Sequence, residues 1–264
     1  MTTSPDLKKA YTLRRFFVRR LESDSEQQQA VIDDAQQIQR LRKVLRLSAG
    51  DQLIAIDGGT IPASFLAEIT SIERNQVLLT LLEALPIDQH PDCSPPFITM
   101  GAALIKNQRW DWLIQKTTEL GVHHIVPIQA ARTVVTIDTP KDVLKKQERW
   151  QQIAQSAAEQ SERVRIPAID TPVSLQAFCA SEAVQNASLK LVLLEREDLV
   201  SGNPLADSVP HLQSCLRSTS AAENKISPTE SIAFALGPEG GWSSEELDTP
   251  NPKYSFHRSI LRAE

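Results

Sequence analysis

Three short runs that are apolar almost from end to end, residues 97–105, 189–194 and 232–236, constrain the fold more than any other feature. A half-exposed strand alternates apolar and polar side chains, because successive side chains point to opposite faces. A run without that alternation must be covered on both sides, as in a parallel sheet flanked by helices. Segments with helical spacing lie between the runs. Residues 107–120 are amphipathic and precede Gly121, a residue suited to the left-handed position that closes a helix. Residues 141–163 carry Val143, Leu144, Trp150, Ile153, Ala154 and Ala157 on one face, and 174–184 form a shorter helix. Residues 124–128 add a short strand. The alternation predicts an α/β domain with a mostly parallel sheet over residues 97–264. Residues 201–229, rich in Ser, Asn and Pro, read as an exposed insertion.

The rhythm differs earlier in the chain. Residues 11–18 are β-prone, and 52–57, 63–72 and 76–82 read as strands separated by turns such as Gly58-Gly59. Residues 35–47 read as a helix, with Ile38, Leu41 and Val44 or Leu45 recurring at three- and four-residue steps. Several short strands with turn punctuation predict a closed or nearly closed small barrel over residues 1–84. Pro86, Pro91, Pro95 and Pro96 mark 85–96 as a linker. With roughly 100–200 residues per domain, 264 residues have room for both.

Composition removes several function classes. No stretch reaches the ~18 apolar residues of a membrane span, and the first residues show no apolar export signal. Cys93, Cys179 and Cys215 are odd in number and widely separated, which argues against a disulfide framework or a cysteine zinc site and for a reducing, cytoplasmic setting. His123 and His124 are adjacent in a strand and so point to opposite faces; no metal is expected. The net charge of -5 does not advertise a polyanion partner, yet the first fifty residues hold ten Lys/Arg against six Asp/Glu. Arg14, Arg15, Arg42, Lys43 and Arg46 are therefore candidates to meet RNA phosphates, with a merely solvated basic surface as the equal alternative.

The strongest local signal is Leu236-Gly237-Pro238-Glu239-Gly240-Gly241-Trp242-Ser243. A buried strand ends, a glycine-rich loop follows, and Ser243 with Glu246 has the spacing of a capping box that would start a helix. Loops at the carboxyl ends of parallel strands are where open α/β sheets bind ligands. The loop matches neither the dinucleotide-binding nor the phosphate-loop glycine pattern. A second signal is Lys106-Asn107-Gln108-Arg109 at a strand-to-helix junction, and a third is Ala158-Glu159-Gln160-Ser161-Glu162-Arg163 at a helix end.

Six blocks in order, RRFFV (14–18), LRKVLRLSAGD (41–51), QKTTELGVHHIVP (115–127), AAEQSERVRIP (157–167), LGPEGGWSSEE (236–246) and ILRAE (260–264), resemble the RsmE family over nearly the whole chain. The GPEGG and ELGV blocks are the distinctive ones. The resemblance implies an N-terminal PUA-like barrel that binds RNA and a C-terminal SPOUT domain of trefoil-knot type. It implies S-adenosylmethionine as methyl donor, N3 of a uridine in 16S rRNA of the small ribosomal subunit as acceptor, and a homodimer. It places the cofactor against Leu194, Gly237, Pro238, Glu239, Gly240, Gly241, Ile260, Leu261 and Arg262. It turns Arg132, Gln160 and Arg163 toward the substrate or the partner subunit.

Uridine N3 carries a proton, so methylation there calls for a cation that stabilises the uridine anion. Arg132, Arg163 and Arg262 are the candidates for that catalytic role, and Gln160 joins the basic residues as a substrate contact. The family pattern continues past ILRAE into an apolar helix that threads the knot, whereas this chain ends at Glu264. Pro250 and Pro252 stand where the family has a helix, residues 255–259 replace a strand and turn, and Gln39-Arg40 stand where a histidine is often found. These departures predict an incomplete knot with weakened cofactor binding and dimerisation. Two other readings stay open: a catalytically impaired RNA- or ribosome-binding protein derived from this family, and a SPOUT methyltransferase acting on tRNA.

Overall fold

The computed structural model describes residues 13–21, 28–58, 62–87, 91–93, 96–135, 137, 139–194, 231–248 and 253–255. The expected insertion at 201–229, residues 256–259, and Ile260, Leu261 and Arg262 lie outside the described residues. The architecture is mixed α/β with two six-stranded sheets. The chain falls into two compact units, one of Met1–Cys93 with Ala158–Ile166, the other of Ser94–Ala157 with Pro167–Glu264.

In the first unit the strands are β1 (Arg15–Phe17), β2 (Arg19–Leu21), β3 (Gln29–Ile32), β4 (Gln52–Asp57), β5 (Ala63–Ile72) and β6 (Val77–Leu85). They run in the order β1-β4-β5-β6-β3-β2. β1 pairs parallel to β4 and every other pair is antiparallel. Only Val18 separates β1 from β2, and its N–H donates to Ile56 O at 2.9 Å. The two edges of the sheet are thus successive halves of one stretch of chain. Phe16, Leu53, Ala55, Ile69 and Leu79 lie in its hydrophobic core.

Residues 35–47, expected as one helix, split. Asp34 caps α1 (Ala35–Gln39) by accepting from Gln37 N at 2.8 Å. The chain then widens into a π-helical segment, Arg40–Val44, and leaves it through Arg46 at φ 55. Ile38 from the helix, with Leu41 and Leu45 from the widened turn and its end, join the core of the first unit, and Val44 is left exposed.

The segment Ala158–Ile166 belongs to this first unit, 65 residues after Cys93. Alternation along β4 explains why. Leu53 and Ala55 pack in the core cluster on one face of the sheet, while Ile54 and Ile56 face the other side and would meet water if uncovered. Ala158 and Val164 pack over them together with Phe17. Burying each large aliphatic side chain is worth about 1.5–3 kcal/mol. Three ion pairs accompany this packing: Arg40 to Glu159 at 2.8 Å, Arg15 to Glu162 at 3.5 Å, and Arg163 to buried Asp92.

The second unit is built on a sheet in the order β12-β10-β11-β7-β8-β9, parallel throughout. Its elements are β7 (Phe97–Ala103), α2 (Asn107–Leu120), β8 (His124–Ile128), α3 (Pro140–Gln160), β9 (Ala168–Ile169), α4 (Leu175–Ala180), α5 (Glu182–Gln185), β10 (Leu189–Leu194), β11 (Ser231–Leu236) and β12 (Lys253–Ser255). α2 ends at Gly121, which sits at φ 97 and donates to Thr117 O and Thr118 O. Trp110 of α2 and Trp150 of α3 are buried against each other, ring centroids 5.5 Å apart. Of the face expected on α3, Trp150, Ala154 and Ala157 are buried, but Leu144 is 59% exposed. The helix expected at 174–184 is two, because Ser181 adopts an extended conformation (ψ 149) between α4 and α5. Among the described residues no helix is long and apolar enough to cross a membrane.

Gly101, in the middle of β7, marks where α4 meets the sheet. A Cβ there would lie 2.7 Å from Ile128 Cδ1 and 2.9 Å from the Phe178 ring. Gly101→Ala should destabilise the protein by about 1–3 kcal/mol through overpacking. Denaturant unfolding measures this, and a loss under ~0.5 kcal/mol would mean that the helix yields freely.

Candidate functional site

The order of the parallel sheet locates a crevice. After β7 the chain passes through α2 to β8 on one side; after β11 it crosses past β10 to β12 on the other. Adjacent strands β7 and β11 therefore send their following segments in opposite directions. That is the topological switch point at which open α/β sheets leave room for a ligand beyond the carboxyl ends of the strands. The loop after β11 is the glycine-rich segment 237–243.

This loop is held at several points. Trp242 is buried and donates its indole N–H to Leu193 O at 3.1 Å, pinning the loop to the neighbouring strand β10. Gly237 is where the loop passes this indole: a Cβ would fall 2.9 Å from Trp242 Nε1 and 3.1 Å from Cε2. Gly241, at φ 66, donates to Pro238 O at 2.9 Å and closes a turn that places Glu239 and Gly240 at the exposed tip. Glu246 is 7% exposed and binds two segments at once. Its Oε2 accepts from Ser243 N at 2.8 Å, and its Oε1 accepts from Ala131 N at 2.8 Å in the segment after β8.

Ser243 Oγ accepts in turn from Glu246 N at 3.2 Å. The reciprocal capping pair expected from the sequence is therefore formed, but no helix follows it. Residues 244–247 are turns. Pro250 lacks an N–H and disfavours helical geometry in the residue before it, which limits how far a helix begun at Ser243 could extend. Beyond it, β12 pairs with β10 despite Pro250 and Pro252, in a register that puts Lys253 opposite Val192.

Two arginines complete the tip. Arg109, in the first turn of α2, pairs with Glu239, so the two segments leaving the switch point are bridged. The pair is half exposed and contributes under about 1 kcal/mol to stability; its effect is to orient Glu239. Arg132 donates Nη1–H to Gly240 O at 2.8 Å. That bond uses one of five guanidinium donors, leaving the rest of an exposed cation available beside the loop.

Gly237, Pro238, Glu239, Gly240, Gly241 and Arg132 are thus together in the second unit. Leu194 ends β10, but its side chain lies in the hydrophobic core, so only its backbone reaches the strand end. Arg14, Arg15, Arg42, Lys43, Arg46 and Gln160 all fall in the first unit. Arg163 does too, with its guanidinium held by Asp92. Sequence reading noted Arg109 and Glu246 but missed the links from Arg109 to Glu239 and from Glu246 to Ala131. Each joins residues more than a hundred positions apart, and only the sheet order makes them neighbours.

A model of the RNA methyltransferase domain matches residues 93–264. The ribosomal RNA small subunit methyltransferase E of Bacillus subtilis is 28% identical over 236 residues, covering 89% of this chain and 84% of that protein. The protein of the same name from Mycobacterium bovis is 30% identical, covering 77% and 68%. Among solved structures, a Legionella pneumophila methyltransferase in complex with bound SAM superposes with a TM-score of 0.71 at 26% identity, covering 95% of this chain and 92% of that one. The Neisseria gonorrhoeae ribosomal RNA small subunit methyltransferase E gives 0.69 at 24% identity, covering 94% and 91%, and supports the fold.

Proposed function

The chain belongs to the RsmE family of RNA methyltransferases, and on that premise we propose that it methylates N3 of a uridine in 16S rRNA of the small ribosomal subunit. The observation that carries the reading is the glycine loop pinned at the switch point by Trp242 and Glu246, with Arg132 beside it.

The loop fits the methyl donor, S-adenosylmethionine, which the similar Legionella protein holds. Residues 237, 240 and 241 carry no side chain, so a ligand with polar ends can approach the loop backbone closely. Gly240 has ordinary space around it, with Arg132 Cβ 3.5 Å from where its own Cβ would be. S-adenosylmethionine supplies an electrophilic methyl group. Gly237, Pro238, Glu239, Gly240 and Gly241 bind the donor, with the backbone at Leu194 and with Ile260, Leu261 and Arg262 as the remaining contacts of the proposal. Arg109 holds Glu239 in place.

The protein's remaining work is to expose and polarise the acceptor. A paired uridine hides its N3 edge, so the base must be unpaired and turned out of the stack, at a cost of a few kcal/mol. The N3 proton passes to solvent water, and Arg132 stabilises the uridine anion that remains through its uncommitted guanidinium donors. We assign the role to Arg132 because Arg163 is committed to Asp92. The first unit, as a PUA-like barrel, holds the RNA, and the second acts as a SPOUT domain of trefoil-knot type. The active species is a homodimer in the cytoplasm, working without a metal.

Calorimetric titration with S-adenosylmethionine, followed by methyl transfer to small ribosomal subunits lacking the modification, tests the reading. Saturable one-to-one binding and transfer to uridine N3 in the subunits, with none to tRNA, are expected. Donor binding without any transfer would leave a family member that has lost its reaction, and RNA binding without donor binding would leave a binding protein. Arg132→Ala should lower kcat about 10²–10³-fold, well beyond any loss of donor affinity from its bond to Gly240. Retained kcat would remove Arg132 from the role.

A further inference from the structure

Eight of the basic residues of the first unit differ in whether they have a partner. Arg15, Arg19, Arg40 and Arg163 each have an acidic partner: Glu162, Asp33, Glu159 and Asp92. Arg20 donates to Gln28 and lies over the Phe65 ring. These are structural. Arg42, Lys43 and Arg74 are exposed, and none has an ion pair or hydrogen bond to a side chain among the described residues. All three line one groove of about 620 Å³, together with Gln39, Asn75 and Asp33. That volume is within the range of small-ligand sites, about 300–1,000 Å³.

The groove has two banks far apart in sequence. Gln39, Arg42 and Lys43 come from the end of α1 and the π-helical segment after it. Arg74 and Asn75 form the tip of the β5–β6 hairpin. Its turn is fixed by a bond from Glu73 N to Gln76 O at 2.9 Å and another from Gln76 Nε2 to Glu73 Oε2 at 2.8 Å. The one acid in the lining, Asp33, is already neutralised by Arg19, which donates to it from Nε at 3.2 Å and Nη2 at 2.7 Å. Three cations that face each other without internal partners repel one another, and an anion between them relieves that repulsion.

We infer that this groove seats the sugar-phosphate backbone of an RNA strand. Arg42 and Lys43 take phosphates from one bank and Arg74 takes one from the other, while the Gln39 and Asn75 amides face the base edges. The inference rests on the reading that RNA is the substrate, and it adds the β5–β6 hairpin to the RNA-binding surface. Charge alone supplies most sequence-independent affinity for RNA, and each neutralised phosphate adds about 0.7 to the slope of log affinity against log salt for a single strand.

The test is anisotropy titration of the full chain into a labelled single-stranded oligoribonucleotide of about ten nucleotides, a length one small barrel can cover, over a range of salt. The triple variant Arg42→Gln, Lys43→Gln, Arg74→Gln should bind at least about tenfold more weakly, with a slope smaller by about 2. Arg74→Gln alone should remove about 0.7 of that slope. A control triple on α3, Lys141→Gln, Lys145→Gln, Lys146→Gln, removes the same charge and should leave the slope as it is. Unchanged affinity and slope in the groove variants, or an equal loss in the control, overturns the proposal while RNA binding by the parent chain still stands. If the parent chain takes up S-adenosylmethionine but no RNA, the RNA reading itself fails and the groove proposal with it. Five of the six side chains are exposed and Lys146 is half-buried, and thermal melting should be the same throughout.

Discussion

Replacing Asp92 with alanine should destabilise the first unit by about 3–5 kcal/mol, the usual cost of removing one member of a buried ion pair. Asp92 is 1% exposed, and the guanidinium it holds, on Arg163, belongs to a side chain 11% exposed. Its other oxygen accepts from Val164 N at 2.8 Å and Arg165 N at 3.2 Å. One carboxylate therefore satisfies two backbone donors and a charge on the segment, beside its apolar packing and its ion pairs to Arg40 and Arg15. Its loss strands all three, and Ala158 and Val164 can then no longer keep water from Ile54, Ile56 and Phe17. Asp92→Asn keeps an acceptor oxygen and should lose less. Arg163→Met combined with Asp92→Leu should recover much of the alanine loss, because replacing both charges with apolar groups leaves nothing buried and unpaired. Denaturant unfolding, with proteolysis to report which part opens first, gives the numbers. A cost for Asp92→Ala under about 1 kcal/mol would show that water already reaches the pair.

That same segment shows where sequence reading stops. Local periodicity located the elements well: 52–57, 63–72, 107–120, 124–128 and 189–194 coincide with β4, β5, α2, β8 and β10. In each, the pattern of burial and the end signals, such as Gly121, lie within a few residues of one another. Membership of Ala158–Ile166 in the first unit depends on contacts across 65 or more residues. The one hint was that Leu53 to Ile56 is apolar at every position, while a strand with one wet face would alternate. The glycine loop was legible as a loop because glycine and proline write their own punctuation. Its anchors were not: Trp242 needs Leu193, Glu246 needs Ala131 and Glu239 needs Arg109, and those partners follow only from β11 lying between β10 and β7. The capping box at Ser243 misled in the other direction. It states that a helix can begin, and the prolines at 250 and 252 limit how far one could extend.

Gly237→Ala should cripple donor binding where the neighbouring Gly240→Ala does not disturb the fold, and the contrast lies in what each added methyl meets. At 237 it meets Trp242 Nε1 at 2.9 Å and Cε2 at 3.1 Å. The indole cannot swing aside cheaply, because it is 2% exposed and its N–H is committed to Leu193 O. Overpacking there costs about 1–3 kcal/mol, and breaking the indole bond adds about 1–3 kcal/mol for the unsatisfied pair. If the loop moves instead, Glu239 and Gly240 leave the mouth of the crevice, and a displacement near 1 Å can lower the rate about 10²-fold. At 240 the nearest atoms are Arg132 Cβ and Cδ at 3.5 and 3.7 Å, ordinary contacts that need no rearrangement. Unfolding of both variants and titration with S-adenosylmethionine separate the two positions. Trp242→Phe gives the second arm of a cycle: it removes the pyrrole edge that collides with the new methyl, so Gly237→Ala should cost less in that background than in the parent. Strictly additive losses would mean the methyl and the indole do not meet, and the loop would then need another explanation for its glycine at 237.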